Sequence, residues 1–126
     1  MKKLTIIYSF RDRDTHRVKR CLDSLTTQTY KNFNVIFVDY GSQIESANNI
    51  RELVESYDFC QYIYSDTRGW PWNRSKALNI GIRQAKSDWV MLSDIDLIYG
   101  QEVIEDIVSQ SKGNVSLHAA CYYLPE

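Results

Sequence analysis

Asn34 to Ser42 reads NVIFVDYGS. Val35 to Val38 are nonpolar without interruption, the pattern of a strand covered on both faces rather than one with a wet side. Tyr40-Gly41-Ser42 closes the run as a turn, and Ala47, Ile50, Leu53, Val54 and Tyr57 then recur at helical spacing. The stretch therefore reads as strand, turn, helix.

The same alternation extends in both directions. Upstream, Leu4 to Phe10 is a nonpolar, β-branched run, and after the charged turn Arg11-Asp12-Arg13-Asp14 the residues Val18, Cys21, Leu22 and Leu25 fall on one helical face. Downstream, Cys60 to Tyr64 is a third strand, and a polar loop with Gly69 and Pro71 leads to a third helix carrying Leu78, Gly81, Ile82 and Ala85. Trp89 to Ser93 is a fourth strand, Val103, Ile104, Ile107 and Val108 mark a fourth helix, and Val115 to Leu124 reads as one more strand. Strands nonpolar on both faces, joined by helix-length crossovers, predict an α/β fold: a three-layer α/β/α sandwich on a mostly parallel sheet. No repeat, linker or low-complexity tract interrupts the pattern, so residues 1–126 are expected to be a single domain.

Composition narrows the function classes. With 44% hydrophobic and 25% charged residues in 126, the chain suits one ordinary soluble core, and its formal net charge of −1 offers no global field for nucleic acid or an anionic membrane. Cys21, Cys60 and Cys121 are odd in number, form no CxxC and lie within nonpolar patterns, which suggests core thiols in a reducing, cytoplasmic setting. The start, MKKLTIIYSF, is cut short by the charged turn before a signal-peptide core can form, and no segment is long enough to span a bilayer.

In open parallel sheets, ligands bind beyond the carboxyl ends of the strands. Here those positions hold Arg11 and Arg13, Asp39, Asp66 and Arg68, and finally Asp94 and Asp96 within WVMLSDIDLIYG, Trp89 to Gly100. Two carboxylates one residue apart at the mouth of a nonpolar strand need a compensating cation, basic partner or proton. Guanidinium groups and carboxylates on one edge suit an anionic ligand carried with a divalent metal, because magnesium-like ions take one or two carboxylates plus substrate phosphates.

The ordered segments SFRDR, FVDYGS, WNRSKALNIG and SDIDL resemble the nucleotide-sugar half of GT-A fold glycosyltransferases. FVDYGS is similar to glycosyltransferase family 2, and the others to the β-1,4-galactosyltransferase and bacterial chondroitin-polymerase type. The resemblance implies a nucleotide-diphospho-sugar transferase of GT-A type, truncated. It is expected to use Mn2+ or Mg2+ to transfer a sugar from a UDP-sugar to a saccharide acceptor hydroxyl with inversion. Phe10, Arg11 and Arg13 match the PFRxR-like turn that contacts the nucleotide and its phosphates, with Ser9 where many members have proline. Asp39 matches the first acid of VDDGS, which hydrogen-bonds uracil, and Tyr40 replaces the second. Trp72 and Arg74 match the aromatic and arginine of the FNRAK-like segment, implying base stacking and a nucleotide contact. Asp94 and Asp96 match the DxD, the last acid ligating the metal and the first contacting the sugar or ribose. In this family the general base and acceptor site follow the DxD, and about thirty residues follow Asp96, so the base is expected outside this chain, which would be the N-terminal, donor-binding part of a larger catalytic domain.

Each assignment has a plainer counterpart in the residues alone. Arg11 and Arg13 could pair with Asp12 and Asp14 within the charged turn, Trp70 and Trp72 could pack an ordered loop around Pro71, and the Asp pair could be solvated strand-end residues. His16 and His118 lack metal-ligand spacing and read as a surface helix residue and a strand residue. A non-catalytic nucleotide-binding module and a dehalogenase-type phosphatase, which also uses a DxD after a nonpolar strand, stand as alternatives; peripheral association with a membrane stays open.

Overall fold

A computed structural model of the chain describes residues 3–113 and 116–118. In chain order it runs β1 (Leu4–Phe10), α1 (Thr15–Thr26), β2 (Phe33–Tyr40), α2 (Ile44–Glu55), β3 (Cys60–Ser65), α3 (Arg74–Gln84), β4 (Trp89–Leu92) and α4 (Val103–Gln110). The strands form one sheet in the order β3-β2-β1-β4, and every adjacent pair is parallel.

Strand periodicity divides the core. Ile6, Tyr8 and Phe10 of β1 and Val35 and Phe37 of β2 face one way, onto Val18, Cys21, Leu22 and Leu25 of α1, Ile50 and Val54 of α2, and Ile104 of α4. Ile7, Ile36, Val38 and Tyr40 face the other way, onto Ala77 and Leu78 of α3. The three-layer expectation holds. Helix α3 lies against the sheet at Gly81, where an added Cβ would stand 2.5 Å from Ile7 Cγ2, so only glycine lets the helix come so close.

The fourth strand departs from the expectation of two covered faces. Trp89 and Met91 pack on the α1 side, but Val90 and Leu92, in register with Thr5 and Ile7, are 41% and 47% exposed. Among the described residues β4 is an edge strand, as β3 is at the other side of the sheet, and α3 packs mainly over β1 and β2. Helix α2 also ends two residues early: Tyr57 lies beyond it, its hydroxyl donating to Asp23 at 2.5 Å. Most of the strand expected over Val115 to Leu124 lies outside the described residues; 116–118 are irregular, and His118 is exposed there rather than in a strand. Among the described residues, no helix is long and apolar enough to cross a membrane.

Candidate functional site

The loops at the carboxyl edge converge because their capping chemistry draws them together. Asp12, at φ +47, turns the chain sharply after β1, a backbone region that Asp tolerates better than most side chains. Its Oδ1 accepts the Gln43 N–H at 2.9 Å at the start of α2, while its own N–H donates to Ser42 Oγ at 2.9 Å. Asp14 caps α1 by accepting from the His16 N–H at 2.8 Å. Both acids of the turn are thus engaged in helix capping rather than in pairing with the arginines beside them.

The turn sends those arginines in opposite directions. Arg11 reaches toward β2 and the loop after β3, donating to the carbonyls of Tyr40, Thr67 and Trp70. Arg13 reaches toward β4, its guanidinium 3.9 Å from Asp96 Oδ2. Arg74, at the start of α3, stands 3.3 Å from Asp94 Oδ1. The two carboxylates of the Asp pair are therefore each held beside a separate cation, both pairs being partly solvated, where such an ion pair is worth about 0–1 kcal/mol.

The segment that carries the pair is fixed from beneath. The Ser93 hydroxyl bonds Tyr99 Oη, which lies 2.7 Å from Tyr8 Oη on β1, and Cys21 Sγ of α1 donates to Tyr8 Oη at 3.5 Å. The Tyr99 N–H donates to Ser24 Oγ at 3.1 Å, and buried Gln28 donates to the Gly100 carbonyl at 2.7 Å while accepting from the Ile104 N–H. A buried polar chain with every member satisfied permits one arrangement of its backbone, so Asp94 and Asp96 project from a rigid segment. Burial pushes the Cys21 thiol up to about 11 and raises both Tyr8 and Tyr99, so all three stay protonated at neutral pH. Burial likewise pushes Cys60 up to about 12. Tyr8, Ser93, Tyr99 and Gln28 were not legible as site residues, because in the sequence they only continue strand and helix patterns.

Two expected contacts lie deeper than the sequence implies. Phe10 is fully buried, its ring 5.3 Å from that of Phe37, so it can offer a ligand only its backbone. Asp39 is also fully buried: Oδ1 accepts the Ser42 N–H at 3.0 Å and Oδ2 accepts the Tyr62 hydroxyl at 2.6 Å. Burial, reinforced by this bond, raises the Tyr62 phenol. Asp39 thus ties the β2 turn to β3, a partnership that no sequence spacing announces. Asp39→Ala is expected to lower unfolding free energy by about 1–3 kcal/mol, because the buried Ser42 N–H loses its acceptor; thermal melting followed by circular dichroism checks this.

The loop between β3 and α3 presents Trp70 and Trp72, 57% and 47% exposed. The Trp72 ring meets Tyr40 edge-on at 6.1 Å and 75°, and the Arg11 guanidinium carbon lies 5.4 Å from the Tyr40 ring and 5.8 Å from that of Trp72. Trp72 is thus in contact with Tyr40 and Arg11 while close to half of it stays open to solvent.

Among the described residues, no three His, Cys, Asp or Glu side chains gather to hold a metal. An all-protein cage is therefore not what these residues provide. Two solvent-reaching carboxylates on one segment do fit a Mg2+- or Mn2+-like ion that completes its oxygen shell from a diphosphate and water.

The family model described as glycosyl transferase family 2 matches residues 5–120. The glycosyltransferase GlyA of Streptococcus pneumoniae serotype 4 is 30% identical over 105 residues, a match covering 83% of this chain and 14% of that protein. The mannosyltransferase PcManGT of Pyrobaculum calidifontis, solved with GDP-Man and Mn2+, superposes with a TM-score of 0.72 at 20% identity, over 85% of this chain and 31% of that one. Residues 1–349 of S. aureus TarS, solved with UDP-GlcNAc, superpose with a TM-score of 0.68 at 21% identity, over 85% of this chain and 30% of that one. These likenesses show the shared GT-A fold; the chain spans less than a third of each of these proteins.

Proposed function

The chain belongs to glycosyl transferase family 2, and from that membership we propose that it is the donor-binding part of a glycosyltransferase that holds a UDP-sugar and a divalent metal at the carboxyl edge of its sheet. The observation that carries this reading is the placement of Asp94 and Asp96 on a well-anchored segment at the same edge as Arg13, Arg74 and the half-exposed Trp72. In this reading Trp72 stacks on the base, Arg13 and Arg74 meet the diphosphate, and Asp94 turns to the sugar or ribose. Asp96, with Asp94 beside it, holds the metal. Mn2+ or Mg2+ supplies, when bound, Lewis-acid stabilisation of charge on the departing diphosphate.

The chain's own groups account for binding and orientation rather than for proton transfer. Arg13 and Arg74 stand beside the carboxylates, which lowers the repulsion between Asp94 and Asp96. A diphosphate would offer both guanidinium groups bidentate partners of their own, and the two carboxylates would then be able to hold a metal. Both arginines are thus placed to serve either charge state of the edge. The general base and the acceptor saccharide site belong to further chain, in keeping with the share of the relatives that these residues span. We place the domain in the cytoplasm, where the free thiols of Cys21 and Cys60 stay reduced. The family match displaces the phosphatase alternative.

Calorimetric titration in manganese with UDP-glucose, UDP-galactose, their N-acetyl forms, UDP-glucuronate and GDP-mannose tests the reading. At least one UDP-sugar is expected to bind about tenfold or more tightly than GDP-mannose, the margin of roughly one well-made hydrogen bond to a charged group. Preference for GDP-mannose would remove the UDP assignment.

A further inference from the structure

Among the described residues, Arg11 is the arginine of this edge whose guanidinium is bound into the backbone of the protein itself. Nε donates to the Tyr40 carbonyl at 2.5 Å, one terminal nitrogen to the Trp70 carbonyl at 2.6 Å and the other to the Thr67 carbonyl at 3.0 Å. Three of its five N–H donors are thereby committed to carbonyls on two separate segments. Its cationic plane also lies against the rings of Tyr40 and Trp72. The two segments touch directly as well: at Gly41 an added Cβ would stand 2.6 Å from the Thr67 carbonyl carbon. Between Asp66 and Asn73 the chain has no helix or strand, and it carries two exposed tryptophans, so few buried contacts hold it in place.

We infer that Arg11 is a positioning residue that staples the Thr67–Trp72 loop to the end of β2 and so fixes the Trp72 ring as a platform for the base, rather than a ligand of the diphosphate. This rests on the donor-binding reading above. Its physical content is a division of labour across the Asp12 turn: Arg13, with solvent access and only a 3.9 Å contact to Asp96, is the phosphate-side cation, and Arg11 acts through Trp72. Lysine cannot replace it, because a single ammonium on a flexible stem does not reach three divergent carbonyls at once.

Three measurements test it. In the ligand-free protein, trypsin is expected to cut after Arg68 about tenfold or more faster in Arg11→Lys than in wild type, since local cleavage tracks the population of the opened loop. In binding, Arg11→Lys is expected to weaken uridine and UDP by the same factor, about tenfold, because the loss is at the base. In a Trp72→Leu background the same substitution is expected to have little further effect on uridine, the non-additivity of two residues acting as one unit. Arg11→Lys that spares uridine while weakening UDP, or that leaves cleavage after Arg68 unchanged, would overturn the inference. A wild-type chain that binds neither uridine nor UDP would overturn the donor-binding reading instead, and the cleavage rates would then decide the staple alone.

Discussion

Asp96→Ala is expected to bring UDP affinity in manganese down to the value measured without it, while the fold and melting temperature stay close to wild type. Outer-shell partners of a metal are typically worth about 10–100-fold in metal affinity, so loss of the ligating carboxylate itself should cost at least about 100-fold. The stability side of the prediction follows from exposure. The Asp96 side chain is 39% exposed and its ion pair with Arg13 at 3.9 Å is exposed on both partners, so its removal costs at most about 1 kcal/mol. Relief of repulsion with Asp94 acts in the opposite direction. Calorimetry with and without manganese, together with a thermal melt, reads both quantities. An Asp96→Ala protein that melts much earlier with its manganese response intact would make the pair structural.

Gly41→Ala should show the reverse pattern, a loss of fold and of ligand binding together. Gly41 has φ +86, and a Cβ there would stand 2.6 Å from the Thr67 carbonyl carbon and 2.7 Å from its oxygen, both backbone atoms that no rotamer change can move aside. Left-handed backbone costs an ordinary residue about 1–2 kcal/mol, and overpacking against fixed atoms adds about 1–3 kcal/mol. The expected total of about 2–5 kcal/mol corresponds to a fall of about 8–20 °C in melting temperature for a domain of this size. Gly69 is the internal control. It has φ +81 but nothing within 4 Å of its Cβ position, so Gly69→Ala should lose only the backbone part. Equal melting temperatures for the two variants would mean that the approach of the β2 turn to the Thr67 loop carries no stability.

Much of the fold was readable because its strands are short nonpolar runs and its helices repeat their nonpolar residues at the helical period. Val35 to Val38 had to be covered on both faces, and they are. Which strands would lie at the edges was not readable: Trp89 to Leu92 is as nonpolar as β2, and only the order β3-β2-β1-β4 leaves Val90 and Leu92 uncovered. The placement of polar residues after every strand followed from the parallel sheet, whereas their partners did not. Asp39 with Tyr62, Arg11 with three carbonyls, and Ser93 with Tyr99 and Tyr8 are contacts between residues 6 to 91 positions apart, fixed by tertiary packing. The charged turn is the clearest case. Arg11-Asp12-Arg13-Asp14 invites pairing among neighbours, yet each acid satisfies a helix N-terminus and each arginine crosses to another loop, because uncapped N–H groups are costlier to leave than a solvated ion pair.

Titration of the wild-type chain with UDP, in manganese and again after chelation, tests the central claim most directly. The proposed site predicts binding in manganese that weakens by at least about tenfold when the metal is removed, because two carboxylates facing a diphosphate without a cation repel it. Binding of equal strength in both conditions would mean a nucleotide-binding module whose Asp94 and Asp96 hold no metal, and no binding in either would contradict the account.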